Sequence, residues 1–275
     1  MCVLGGLLKE VGKTAQSQSY IWAQRGGPPD KPIILYDYDP SRSQAVPLRL
    51  LDGFKGYLQT DAYEGYGAVC RENELISVGC MAHARRKFDE TLKAQSSVDP
   101  NKQKSTLSAQ ALKQIQALYR IEREIKDLSS KEKTIRQKRS VPVLKGLKVK
   151  VWLDVNIIVV PPRSTLGKAM NYLSNQWGKL AVNTTDDRLR IDNNLCENAV
   201  RPFVMGRKSW LFANSVAGAN ASANLYSLVG TAKANGHEPY AYIKHVLTHL
   251  PAAATLEDVE ALLPFYLQPS KCNAN

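Results

Sequence analysis

The spacing of apolar positions divides the chain into thirds. In the first third the runs are short and strand-like. Ser19 to Gln24 is a β-type run, and Gly26-Gly27-Pro28-Pro29-Asp30 is a turn leading into Lys31 to Tyr38. This is the pattern of a hairpin with a longer loop. Val46 to Leu51 is a short amphipathic element stopped by Gly53. Gly56 to Asp61 reads as a third strand ending in a carboxylate, Ala62 to Arg71 as a helix, and Leu75 to Cys80 as a fourth strand. A helix follows from Met81. A hairpin followed by alternating strand and helix predicts an α/β layer with a mixed sheet.

The middle third changes period. From Ser105 to about Arg139 apolar residues fall at Leu118, Ile121, Ile125 and Leu128, the spacing of a helix with a coiled-coil-like seam. Val151 to Val160 is either a strand or a buried segment, and Pro161-Pro162 ends it. Ser164 to Leu180 reads as a helix carrying Leu166, Met170, Leu173 and Trp177. The last third is compact again. Asp192-Asn-Asn194 opens a helix that Pro202 is expected to end or kink. Ala219 to Asn235 is helical with Gly236 beyond it, Pro239 starts the next helix, and Thr255 with Asp258 has capping-box spacing before a final one.

Composition and charge narrow the class. A hydrophobic content of 44% and charged content of 23% describe a globular chain with a core. No apolar run approaches a membrane span, and the first ten residues lack the basic leader of a signal peptide. Five scattered cysteines without C-x-x-C spacing fit a reducing cytoplasm and give no zinc site. The net charge is +12, but residues 81–150 hold 18 Lys/Arg against 7 Asp/Glu. One cationic block on an otherwise balanced chain points to a polyanion, with nucleic acid first.

Two constellations carry candidate chemistry. Asp61 stands at the carboxyl end of a strand, where open α/β sheets bind ligands, although Asp is also a favoured helix N-cap, the simpler reading of the residue alone. In Asp192-Asn-Asn-Leu-Cys-Glu197-Asn-Ala-Val-Arg201, Asn194 and Glu197 have capping-box spacing and Glu197 and Arg201 are one turn apart. Glu197 is either part of that local structure or a helix-borne metal ligand, with Arg201, Arg207 and Lys208 on phosphates. His245 with His249, Cys80 with His83, and Tyr57, Tyr63 and Tyr66 read more simply as structural residues.

The ordered set goes further. Tyr36-Asp-Tyr-Asp-Pro-Ser41, Leu51 to Tyr66, Gly79-Cys-Met-Ala-His83-Ala-Arg-Arg-Lys-Phe88, Leu166 to Trp177, Ile191 to Pro202 and Gly206-Arg-Lys-Ser-Trp-Leu-Phe212 follow one another. In this order they closely resemble the catalytic part of the IS66 family of bacterial insertion-sequence transposases, over almost the whole chain. The resemblance implies a ribonuclease-H-like α/β fold with an Asp-Asp-Glu triad and two Mg2+ ions, which activate water or a DNA 3′-hydroxyl for in-line attack on a phosphodiester. By position Asp61 is the second Asp and Glu197 the Glu. Arg85, Arg86, Lys87, Arg201, Arg207 and Lys208 are then the first residues to consider for DNA phosphates. The implied partners are insertion-sequence ends, target DNA and further copies of the chain, with no membrane, in a bacterial cytoplasm at the nucleoid.

The resemblance divides the chain into residues 1–94, the first part of the catalytic domain with its first strand expected to be lost; 95–186, a mainly helical basic insertion; 187–235, the rest of the catalytic domain with the Glu helix; and 236–275, C-terminal helices. It also has departures. The family's first Asp sits in an Asp-Glu-Thr-Pro stretch, where this sequence reads Met1-Cys-Val-Leu-Gly-Gly-Leu, and the first acidic residue is Glu10. Asn198 replaces the usual Arg and Asp187 the usual Gly. The expectation is an N-terminally truncated, impaired DDE transposase. The alternative is a catalytically dead DNA-binding remnant that competes for ends or pairs with an intact enzyme.

Overall fold

A computed structural model describes residues 2–4, 17–94, 104–125, 132–147, 152–210 and 213–268. The chain is mixed α/β, mostly helical, and divides into two compact units. Residues 1–46 with 194–275 form a split unit, and residues 47–193 form a continuous one.

The split unit is built on an antiparallel sheet in the order β1 (Cys2–Leu4), β2 (Ser19–Gly26), β3 (Ile33–Asp39). The expected hairpin is present, with Tyr20 opposite Asp39 and Gly26 opposite Ile33. Along β3, Ile34, Tyr36 and Tyr38 are buried, the period-two face of a half-buried strand. Two helices meet this sheet, α9 (Asn194–Trp210) and α10 (Val216–Ala234). Their Ala199, Phe203, Ala219 and Ala223 join Ile21, Ile34, Tyr36 and Tyr38 in one apolar cluster. Phe203 lies 4.9 Å from Tyr226 and 5.9 Å from Tyr36 between ring centroids.

Helix α10 also closes the outer edge of β3. Thr231 Oγ1 takes the Ile34 N–H at 3.0 Å and donates to the Ile34 carbonyl at 2.9 Å. Ser227 Oγ takes the Tyr36 N–H at 2.8 Å, and Asn235 Nδ2 donates to the Pro32 carbonyl at 2.8 Å. Four helical residues rise about 6 Å and two strand residues about 6.8 Å, so the stripe Ser227-Thr231-Asn235 matches Tyr36-Ile34-Pro32. An edge otherwise open to another strand is thereby satisfied.

The C-terminal elements follow their sequence signals. Gly236 turns the chain at φ +83°, Glu238 caps α11 (Pro239–His249), and Thr255 and Asp258 form a reciprocal capping box on α12 (Leu256–Glu260). Buried His237 bonds through Nε2 to the Pro264 carbonyl at 2.7 Å, and the Tyr242 hydroxyl donates to Leu262 O at 3.0 Å. Helix α9 runs on through Pro202 instead of ending there. The proline is exposed, so the carbonyl it leaves unbonded can be met by water.

The continuous unit begins with α1 (Ala45–Leu50), which straddles the unit boundary. β4 (Tyr57–Gln59) and β5 (Ile76–Val78) then pair in parallel, Leu58 opposite Ser77, with α2 (Gly67–Glu72) between them. The one mixed sheet expected from sequence is thus described as two sheets, antiparallel and parallel. The helices are α3 (Met81–Ala94), α4 (Leu107–Ile125), α5 (Glu132–Ile135), α6 (Val141–Leu147), α7 (Leu153–Ile157) and α8 (Thr165–Leu180). A π-helical turn, Arg136–Ser140, joins α5 to α6. Met81, Phe88, Ile115, Leu118, Leu147, Leu153, Met170, Leu173 and Trp177 form the core of the unit.

The middle seam is present at Leu118, Ile121 and Ile125, all buried; Leu128 lies outside the described residues. Within Val151 to Val160 the result differs from both expectations. Leu153–Ile157 is a short helix that buries Trp152 and Leu153, while Val155, Ile158 and Val159 are exposed. Asp154 and Asn156 interrupt the apolar run, which leaves one small face to bury.

Candidate functional site

Asp61 follows β4 directly. The ladder extends to the residue before it, since Thr60 N–H bonds to Val78 O at 3.2 Å. Asp61 is half-buried, and its Oδ1 accepts the Tyr63 N–H at 3.2 Å, closing a turn through Ala62 at φ +68°. A left-handed non-glycine residue costs about 1–2 kcal/mol. Asp61 does not cap a helix: the next element, Glu64–Tyr66, has Tyr63 at its N-cap position and no side-chain cap. The simpler reading of Asp61 from sequence is therefore replaced by a tight turn at a strand end.

The neighbouring strand end is pinned from three sides. Gln59 Nε2 donates to Gly79 O at 3.1 Å and to Arg190 O at 2.9 Å. Gly79 N–H bonds to Lys179 O at 2.9 Å, and Met81 N–H to Ile191 O at 3.0 Å. A Cβ at Gly79 would lie 3.0 Å from Leu180, closer than ordinary contact, so the approach of α8 favours glycine there. Buried Cys80 accepts the Asn193 N–H on Sγ at 3.3 Å, which gives the thiol a structural role. Asp186 holds Arg188 through side-chain bonds at 3.0 and 2.7 Å, and these bonds lower its carboxyl pKa to about 2. The loop carrying Asp192 is thus fixed beside β5.

Two tyrosines complete this polar region. Burial, then Cys80 and then Asp61 push the Tyr172 phenol up to about 12. Burial, then the charge of Asp192, raises Tyr119, while Arg85 opposes the shift. Among the predicted phosphate contacts, Arg85 and Arg86 are exposed on α3, with the Arg85 guanidinium 6.0 Å from the Tyr119 ring centroid. Lys87 is half-buried, its Nζ 5.0 Å from the Tyr172 ring centroid. Asp61, Arg85 and Lys87 therefore belong to the continuous unit, together with Tyr119, Tyr172 and Asp192.

Glu197 lies in the first turn of α9 in the split unit, where the helix dipole favours a carboxylate. It is half-buried, and Arg201 and Lys208 are exposed on the same helix. The Arg207 side chain lies outside the described residues. His245 and His249 stack at 4.1 Å, with the His249 Nδ1 2.8 Å from the His245 carbonyl. Tyr63 and Tyr66 meet edge to face.

The sequence reading did not single out Gln59, Tyr119 or Tyr172, and it named Asp192 only as the start of the segment running to Arg201. Tyr172 carried a weak signal: it falls beside, not within, the Leu166-Met170-Leu173-Trp177 stripe. The role of Gln59 depends on two carbonyls remote in sequence and had no signal.

No helix among the described residues is long and apolar enough to cross a membrane. A family model described as "Transposase IS66 family" matches residues 7–221, and one described as "IS66 C-terminal element" matches residues 227–265. Curated relatives include proteins y4jD and y4qI of Sinorhizobium fredii (strain NBRC 101917 / NGR234). The first is 32% identical over 86% of this chain, and the second 30% identical over 94%. The chain spans about half the length of these relatives, 46% and 48% respectively. No solved structure matches the chain. The two family matches together cover nearly the whole sequence, and the chain belongs to the IS66 transposase family.

Proposed function

We propose that the chain is the DNA-processing part of an insertion-sequence transposase of the DDE type, with a ribonuclease-H-like arrangement of strands. The family match over residues 7–221 carries this reading. An antiparallel β1-β2-β3 sheet followed by a parallel β4-β5 pair supports it, as does Asp61 immediately after β4. Asp61 and Glu197 serve as carboxylate ligands. Both are half-buried, and hard carboxylate oxygens suit Mg2+ in kind. When bound, magnesium would activate the attacking oxygen and stabilise the departing one. Arg85, Arg86, Lys87, Arg201, Arg207 and Lys208 hold DNA phosphates.

The test incubates the full chain with labelled insertion-sequence ends and Mg2+. Salt-dependent binding is expected, with cleaved or joined product that disappears in Asp61→Asn and Glu197→Gln. Product that persists in both variants would overturn the carboxylate roles, and absence of DNA binding would overturn the DNA-acting reading.

A further inference from the structure

The C-terminal end of α11 brings two imidazoles together. His245 and His249 are one turn apart, a spacing that puts side chains on one helix face. Their ring centroids are 4.1 Å apart, with the planes tilted by 31°. His245 is half-buried and His249 exposed, so the pair opens to solvent.

The rings are also prepared chemically. His249 Nδ1 lies 2.8 Å from the His245 carbonyl. A carbonyl oxygen only accepts, so Nδ1 carries the proton, and in the neutral ring Nε2 keeps a free lone pair. A backbone carbonyl on one ring nitrogen is how proteins fix the tautomer of a metal-ligating histidine. His245 is held towards its neutral form: burial first, then His249 and then buried His237 lower its pKa below the usual imidazole value. Neutral imidazole is the form that coordinates a metal. His249 is in the last turn of α11, where the aligned peptide dipoles favour positive charge. Two neutral rings leave that preference unmet, and a cation between them would meet it.

The donor set selects the cation. Imidazole nitrogen suits Zn2+, Ni2+ and Cu2+, whereas Mg2+ takes oxygen ligands. Histidines at i and i+4 are also the spacing by which a helix presents two rings to one zinc ion.

We propose that His245 and His249 form an open two-ligand site for a divalent transition-metal ion of the zinc, nickel or copper class, with water completing its coordination. The site uses neither Asp61 nor Glu197 and does not depend on the DNA-acting reading.

Calorimetric titration of NiCl2 into the untagged full chain, slightly above neutral pH and with excess Mg2+ to occupy carboxylates, tests it. The parent should bind one Ni2+ whose affinity falls about a hundredfold in His249→Ala, because the second ring binds with the first already in place. His245→Ala should lose the same equivalent, and the double variant no more than either single one. Ni2+ should raise the melting temperature of the parent and leave that of His249→Ala unchanged. Without metal, His249→Ala should melt with the parent, since the position is exposed. Unchanged Ni2+ affinity in His249→Ala, or a loss in only one of the two single variants, overturns the site. A parent that binds no Ni2+ overturns it too.

Discussion

Arg136 shows how one residue can leave the class its sequence context assigns it. It belongs to the cationic block, yet only 4% of its side chain is exposed, and it makes two bonds to Glu122 at 2.9 and 2.8 Å. A third nitrogen donates to Asp187 O at 3.1 Å. Breaking a buried pair from one side costs about 3–5 kcal/mol, because the remaining charge is stranded. Arg136→Ala should therefore lose that much in urea unfolding, whereas Arg136→Met combined with Glu122→Leu should lose much less. The tyrosines give a second check. Tyr36 and Tyr172 are both raised from 10.0 to about 12, in each case chiefly by burial. As pH rises past 10 the unfolded chain releases these protons first, so the folded state is disfavoured. Stability held at pH 9 should decline between pH 10 and 12 in melts across that range, and Tyr36→Phe should blunt the decline.

At the level of elements, the edge of β3 depends on three small polar side chains of α10. Thr231→Val keeps the shape but removes the group that serves both the N–H and the carbonyl of Ile34. A loss of about 1–3 kcal/mol is expected in equilibrium unfolding. Adding Ser227→Ala should also increase aggregation, measured by light scattering, because it opens more of an edge strand. A double variant as stable and soluble as the parent would show that α10 protects the edge by packing alone. Local signals predicted most of these elements. Glu238, Pro239 and the Thr255–Asp258 box start helices by satisfying backbone groups within one turn. Of the two outcomes expected at Pro202, an end to the helix does not occur, because the carbonyl the proline leaves unbonded lies on an exposed face.

At the scale of the whole molecule, the continuous unit has its own core and no break in the chain. Expressed alone, residues 47–193 should unfold cooperatively in a thermal melt, and a broad, non-cooperative melt would sink that expectation. The same unit holds the cationic block, part of which is already engaged. Arg136 and Arg139 pair with Glu122 and Glu124, whereas Arg85 and Lys113 are exposed. A count of charges cannot separate these groups, since burial depends on where the helices pack.

The sequence by itself determined strands β2 to β5, most helix ends and the family. These rest on local periodicity, capping chemistry and ordered motifs, all of which act or can be read along the chain. Tertiary structure alone decided which cations are buried, that Asp61 closes a left-handed turn and does not cap a helix, and that α10 seals β3 with hydroxyls. Each of these depends on atoms far apart in sequence, and hydrogen bonding and desolvation are settled only when such atoms meet.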